Sequence, residues 1–408
     1  MNIRILTIFL ILLFFSNKFH NLENSSFFKS VNVSKNLTII KPGIYDFLEN
    51  IEFLKDKKIG IVANQTSVIN NAHLVDTLLS RDLKIEKIFS PEHGFRGTVD
   101  AGTKINNEID KKTGLPIISL YGNNKKPTKE QLQNISIIIF DLQDVGVRFY
   151  TYISTLHYIM EACAENGIKL IVLDRPNPNS GYVDGPILDT ANFRSFIGMH
   201  PVPIVYGMTI GEYALMINGE HWLKNNLQCN LEIIKCQNYL HQNKYSLPIP
   251  PSPNLPNDLS IELYPTLCLL EGVNLSVGRG TDKQFQAIGS PLYKNIESFN
   301  FQFTPKPNHG ATHPDFEHQI CYGIDLSSER DITEFQNQIN INFIKKIYNS
   351  FPDKNNFFKK TNSFNLLSGN NKFKQQIIDN VSEEEIRNSW KEELEKFKII
   401  REKYLLYM

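Results

Sequence analysis

The chain has 408 residues, 41% of them hydrophobic and 11% aromatic, which is enough to bury a substantial core and long enough for two domains. Its 43 basic and 43 acidic side chains cancel to a formal net charge of zero, and no block of lysine and arginine stands out. The electrostatic footprint of a nucleic-acid binder is therefore missing.

At the start, Arg4 precedes an unbroken apolar run from Ile5 to Phe15. Such a run has the length of a signal-peptide core and falls short of the ~20 residues that span a bilayer. Residues 1–20 are expected to direct export, with an uncleaved anchor as the alternative because no small-x-small cleavage site follows. Residues 21–40 are polar and without period, as a linker is. No later apolar run approaches spanning length, so no stable membrane insertion is expected once the leader is removed.

From residue 41, short apolar runs alternate with helical patterns: KKIGIVAN, a helix over 74–79, IEKIFS, LPIISLYG, ISIIIFDLQD, a helix over 151–166, and IKLIVLDRP. That rhythm predicts an α/β fold, a parallel sheet with helices on both faces. In the second helix Tyr152, Leu156, Ile159, Met160 and Cys163 recur at helical spacing, and Gly167 stands where a C-terminal cap belongs. The prolines of LPIPPSPNLP, residues 247–256, cannot continue a helix or a central strand. They divide a first domain over 41–250 from a second over 251–408. The second is mixed: LYPTLCLLEGVNLSVGRG, a loop rich in proline and histidine over 305–314, two helix-like segments, and a charged tail, SEEEIRNSWKEELEKFKIIR. Ser382 and Glu385 of that tail have the spacing of a capping box, and its charge marks a solvated helix.

The five cysteines are scattered and lack C-x-x-C spacing. Cys163 falls on a buried helix face, and a Cys229–Cys236 disulfide is open to an exported protein. His93, His157, His200, His221, His313 and His318 show no H-E-x-x-H or paired spacing, so no metal is expected.

In an open parallel sheet, ligands bind outside the carboxyl ends of the strands. The runs here end in Asn64 and Gln65, in Glu92 and His93, in Tyr121 and Gly122, in residues 141–144, and in Asp174, Arg175 and Asn177. So many polar ends at one edge point to an active site. No G-x-x-x-x-G-K-[ST] or G-x-G-x-x-G follows the first strand, so no nucleotide cofactor is expected, and no G-x-S-x-G elbow supports a serine hydrolase.

Two carboxylates flanking a glycosidic bond suffice for its hydrolysis. Glu92 is the first candidate for the acid, since it lies between a strand and a glycine-flanked loop, with His93 and Arg96 beside it to bind substrate. Its alternative role is to cap the turn. DLQDVGVRFYTY supplies Asp144 as a further carboxylate, with Gln143, Arg148 and Tyr152 as binding groups. Arg148 has a structural alternative, pairing with Asp141 or Asp144, and Arg175 has the same beside Asp174. EGVNLSVGRGTD adds Glu271, Asn274, Arg279 and Asp282 as a second wall, where glycines permit close approach of a ligand.

Taken together, NQTSV, FSPEHGFRGTVDAG, DLQDVGVRFYTYISTL, LDRPNPNSG, VDGPIL, YGMTIGEYA, PPSPN and LYPTLCLLEGVNLSVGRGTD resemble the exo-β-N-acetylmuramidases of the NamZ family, with the likeness running from about residue 43 to the C-terminus. The resemblance implies a Rossmann-like N-terminal domain, a smaller α/β C-terminal domain and a cleft between them. It also implies release of N-acetylmuramic acid from the non-reducing ends of peptidoglycan fragments, with muramyl saccharides as partners. The lactyl carboxylate of that sugar needs a cation, for which Arg148, Arg175 and Arg279 are the candidates. Glu92 is then the acid, and Asp144 or Glu271 the second carboxylate. One departure is the Ile249-Pro250-Pro251 stretch before P-S-P-N, where the resemblance implies an aromatic residue. Two other readings stay open: a lyase or transglycosylase forming an anhydro sugar, and a wall-sugar binding protein without turnover.

Overall fold

The computed structural model describes residues 39–97, 108–328 and 333–408. The expected leader, and the linker as far as residue 38, lie outside the described residues.

Runs of isoleucine, valine and phenylalanine, whose branched or flat side chains suit a pleated surface, form the strands. In chain order these are β1 (Lys58–Ala63), a hairpin of β2 (Val68–Ile69) and β3 (Ala72–His73), β4 (Lys84–Ser90), β5 (Glu108–Ile109), β6 (Pro116–Ser119), β7 (Ile137–Asp141), β8 (Lys169–Leu173), β9 (Leu231–Ile234), β10 (Ala287–Ser290), β11 (Phe301–Phe303) and β12 (Cys321–Asp325). The main sheet has the order β5-β6-β4-β1-β7-β8-β9. Every neighbouring pair in it is parallel except the β5–β6 edge. Counted by chain order, its parallel strands run 3-2-1-4-5-6, the doubly wound arrangement in which the crevice opens between the first and fourth strands. Strand β9 escapes the sequence pattern because it is a short edge, half-buried throughout, with Glu232 in its middle.

Alternation along the strands divides the core in two. Val62, Phe89, Ile138, Phe140, Leu170 and Val172 face the helices Tyr152–Asn166 and Ile210–Gly219. Ile59, Ile61, Ile88, Ile137, Ile139 and Ile171 face Ile44–Glu49 and Leu74–Leu79 on the other side. The helix Tyr152–Asn166 ends as its sequence predicts, with Gly167 in the left-handed region at φ 65°.

Beyond residue 258 the helix Asp258–Leu267 leads into a three-stranded antiparallel sheet, β10-β12-β11, and then into the helices Ile341–Ser350, Ser363–Ser368, Lys372–Ile378 and Glu383–Glu402. The last carries the predicted capping box, both bonds present, and buries a stripe of Ile386, Trp390, Leu394 and Phe397. After it the chain returns to the main sheet: Arg401 Nε donates to the Gly207 carbonyl at 2.9 Å, and the Tyr407 hydroxyl to Asp174 Oδ2 at 2.6 Å. Residues 40–408 form one compact unit.

Cys229 and Cys236 are both free, which corrects the disulfide reading. The intervening β9 carries them into different clusters, Cys229 into the large core with Cys163, Cys236 against Tyr239 and Tyr407. Among the described residues no helix is long and apolar enough to cross a membrane.

Candidate active site

A cleft of about 320 Å³ opens beyond the carboxyl ends of β4 and β7. The main-sheet half of the chain contributes Glu92, His93 and the run Phe149-Tyr150-Thr151-Tyr152. The later half contributes Ser252, Asn254, Tyr264, Glu271, Arg279 and Phe285.

Glu92 comes off β4 in a tight turn that sets both His93 (φ 72°) and Gly94 (φ 80°) in the left-handed region. For histidine that conformation is uncommon and costs energy, so the surrounding contacts must hold it. One of them joins His93 Nε2 to Ser252 Oγ at 3.2 Å. Glu92 Oε2 accepts from Thr151 Oγ1 at 3.2 Å, Thr151 being the residue that opens the helix Tyr152–Asn166. The Tyr121 hydroxyl also bonds to Glu92, and burial beside that carboxylate pushes the phenol up to about 12. Glu92 is thus held by neutral hydroxyls.

Glu271, on the 3-10 turn Cys268–Gly272, is held differently: Arg279 Nε donates to its Oε1, and the two side chains keep 26% and 29% of their surface exposed. The Arg279 guanidinium lies 5.2 Å from the Phe285 ring centroid. Glycines flank Arg279 because the backbone there folds tightly on itself. A Cβ at Gly278 would stand 2.2 Å from the Lys283 carbonyl oxygen, and one at Gly280 2.7 Å from that of Lys306. The close approach read from these glycines is to the protein's own backbone, not to a ligand.

Tyr150, Tyr152, Tyr264, Phe149 and Phe285 form an aromatic lining, edge to face at centroid distances of 4.8 Å (Tyr150–Tyr152), 5.3 Å (Phe149–Tyr264) and 4.9 Å (Tyr264–Phe285). Asn64 supports it from beneath, donating from Nδ2 to the Tyr152 hydroxyl at 2.7 Å while its Oδ1 ties down the Thr66 amide and hydroxyl.

Of the residues singled out in sequence, the structure brings Glu92, His93, Tyr152, Glu271 and Arg279 to the cleft. The others lie outside its lining and are paired within the protein. Asp144 is buried beneath it, accepting from the Gly146 amide at 2.8 Å and from the Tyr206 hydroxyl, and burial pushes its carboxyl up to about 6. Arg175 forms a buried bidentate pair with Asp141, at 2.6 and 3.0 Å. Arg148 donates to the carbonyls of Pro186, Val202 and Leu367 at 2.9, 2.7 and 2.9 Å. Gln143 spans the carbonyls of Asp144 and Pro176, and Asn177 holds the Met208 carbonyl and the Asn179 amide. Arg96 grips Asp110 at 2.7 Å and Asp76 at 3.3 Å. Asn274 bonds from its side chain to the Asn356 carbonyl and from its amide to that of Phe357. In each case the polar group closes the fold. Sequence reasoning missed Thr151, Tyr264 and Asn254, although Asn254 stands in the quoted P-P-S-P-N block. Among the described residues no group of three His, Cys, Asp or Glu side chains is placed to hold a metal ion.

A doubly wound sheet carrying a carboxylate-lined cleft, completed by a second lobe, defines an α/β protein with a site built for acid–base chemistry on a small ligand. Residues 59–259 match the family model described as exo-beta-N-acetylmuramidase NamZ, N-terminal, and residues 262–407 match its C-terminal counterpart. The chain belongs to the NamZ family. It is 40% identical over 395 residues to the peptidoglycan beta-N-acetylmuramidase NamZ of Bacillus subtilis (strain 168), covering 92% of this chain and 94% of that one. Two crystal structures of DUF1343 family proteins from Bacteroides fragilis NCTC 9343 superpose with TM-scores of 0.82 and 0.77, at 43% and 29% identity. The alignments cover 91% and 90% of this chain and 99% of each of those.

Proposed function

We propose that this protein is an exo-acting glycoside hydrolase that releases N-acetylmuramic acid from the non-reducing ends of peptidoglycan fragments. One observation carries the mechanism: Glu92 from one half of the chain and Glu271 from the other line the same cleft, over aromatic side chains on which a sugar ring can rest. The cavity falls within the ~300–1,000 Å³ range of small-ligand sites. Glu92, bonded to hydroxyls rather than to a cation, carries the proton to the leaving oxygen. Glu271, paired with Arg279, is the carboxylate that activates water or attacks carbon. The terminal nitrogens of Arg279 have no further hydrogen-bond partner among the described residues, and they receive the lactyl carboxylate.

The test is Glu92→Gln with two substrates. On a muramyl disaccharide, whose leaving alkoxide needs a proton, kcat falls by about 10²–10⁴. On 4-nitrophenyl β-N-acetylmuramide, whose leaving group needs none, the loss is much smaller. A variant that turns over the disaccharide at the wild-type rate removes Glu92 from the acid role. Mass spectrometry of the product separates hydrolysis, which adds water, from anhydro-sugar formation. Export follows from the same reading, since the substrate lies outside the membrane and Ile5 to Phe15 reads as a leader core. N-terminal sequencing of the protein recovered from outside the cytoplasm tests it.

A further inference from the structure

Asn254 is 2% exposed, lines the cleft, and plays no part in the mechanism above. Its amide is oriented without ambiguity: Nδ2 donates to the Gly310 carbonyl at 2.7 Å, so the other atom of the group is the oxygen. That oxygen, Oδ1, is buried and has no hydrogen-bond partner. The clasp that fixes it is tight. Gly310 sits at φ 107°, and a Cβ there would lie 2.7 Å from Pro253 Cβ and 3.3 Å from Asn254 Nδ2. The backbone of Asn254 is held as well, its amide donating to Ser252 Oγ at 3.2 Å. An acceptor left unpaired and fixed in a residue of the cleft wall is one that a donor on the ligand can satisfy.

We infer that Asn254 is a specificity-determining residue whose Oδ1 accepts the N–H of the 2-acetamido group of the bound sugar. The inference rests on the muramidase reading and deepens it. An amide N–H has one donor and no acceptor to satisfy, whereas a hydroxyl brings lone pairs that an acceptor-only wall leaves unpaired. Leu255, Tyr264 and Phe285, lining the same cleft, offer apolar surface for the acetyl methyl.

The experiment compares kcat/KM of the full-length protein on 4-nitrophenyl β-N-acetylmuramide and on its analogue with a 2-O-acetyl ester in place of the acetamido group. The ester keeps the shape and removes only the N–H. Wild type is expected to favour the amide by about 10- to 100-fold, the cost of leaving a buried acceptor unpaired. Asn254→Ala brings that ratio to near one. Asn254→Asp, which keeps an acceptor oxygen but loses the donor to Gly310 that fixes it, is expected to fall between the two. An unchanged ratio in Asn254→Ala overturns the assignment alone. If that variant does not fold, a wild-type ratio near one, read without any substitution, overturns it equally. Failure of wild type to cleave the amide overturns the muramidase reading, and this inference with it.

Discussion

Arg148 is the residue for which sequence and structure make opposite predictions. As a receptor for the lactyl carboxylate, its loss would raise KM and leave stability alone. In the structure it is wholly buried, and burial pulls its guanidinium down to about 9. It holds three carbonyl oxygens, those of Pro186, Val202 and Leu367, and the last belongs to the helix Ser363–Ser368 of the later half. Arg148→Met removes three charge-assisted hydrogen bonds, each worth about 1.5–3 kcal/mol. It also relieves the burial of an ion whose effective penalty is several kcal/mol. The difference is a net loss of about 3–5 kcal/mol, the range for removing one side of a buried charged interaction. For a chain of this length the melting temperature moves by about 1–2 °C per kcal/mol, so the expected fall is ~3–10 °C. Differential scanning calorimetry reads that fall, and initial rates at a temperature where the variant is folded give its KM, expected within a few-fold of wild type. A variant with unaltered Tm and a KM raised tenfold or more would refute the reasoning and return Arg148 to the substrate.

Other expectations follow from equally local contacts. Gly146 lies at φ 75°, and a Cβ there would stand 2.2 Å from Asn177 Nδ2, so Gly146→Ala should cost at least ~2 kcal/mol, measured by urea denaturation. Arg279→Met should raise KM for an aryl N-acetylmuramide by more than for the corresponding N-acetylglucosaminide, which has no lactyl group; an equal effect on both would leave Arg279 as a support for Glu271 only. Acid should destabilise the protein through His157, which is buried, bonded through Nδ1 to His200 at 2.9 Å, and pulled down by burial to about 4. A neutral imidazole is favoured in the fold, so its stabilisation is complete above the unfolded value of ~6.5 and is lost as pH falls toward 4, amounting to about 3 kcal/mol. Asp144 and Asp174, pushed up to about 6 by burial, act in the opposite sense, adding stability as they protonate below that pH. The readout is therefore the difference in Tm between wild type and His157→Gln, which should shrink between pH 7.5 and pH 5.

Much of the fold is legible because a buried parallel sheet writes its strands as continuous apolar runs. The runs ending at Asn64, Ser90 and Asp141 are β1, β4 and β7, and the helix over 151–166 ends at the glycine its spacing predicts. The site is legible only in part, and the reason is geometric. Polar residues at strand ends face whatever lies beyond the sheet, and a sequence does not say whether that is solvent, ligand or another stretch of the same chain. Here it is mostly the chain. Asp174 receives the hydroxyls of Thr209 and of Tyr407, the latter 233 positions further on. Asp141 receives Arg175, and Asp144 receives Tyr206. The edge stays open where the turn after β4 lifts Glu92 and His93 toward the later half, opposite the Phe149–Tyr152 segment that follows β7. The same later half supplies Glu271, Arg279 and Asn254, none of which any strand-end rule could find. The carboxyl edge of a doubly wound sheet therefore marks where chemistry is possible, and the lobe packed over it decides which acids remain free to perform it.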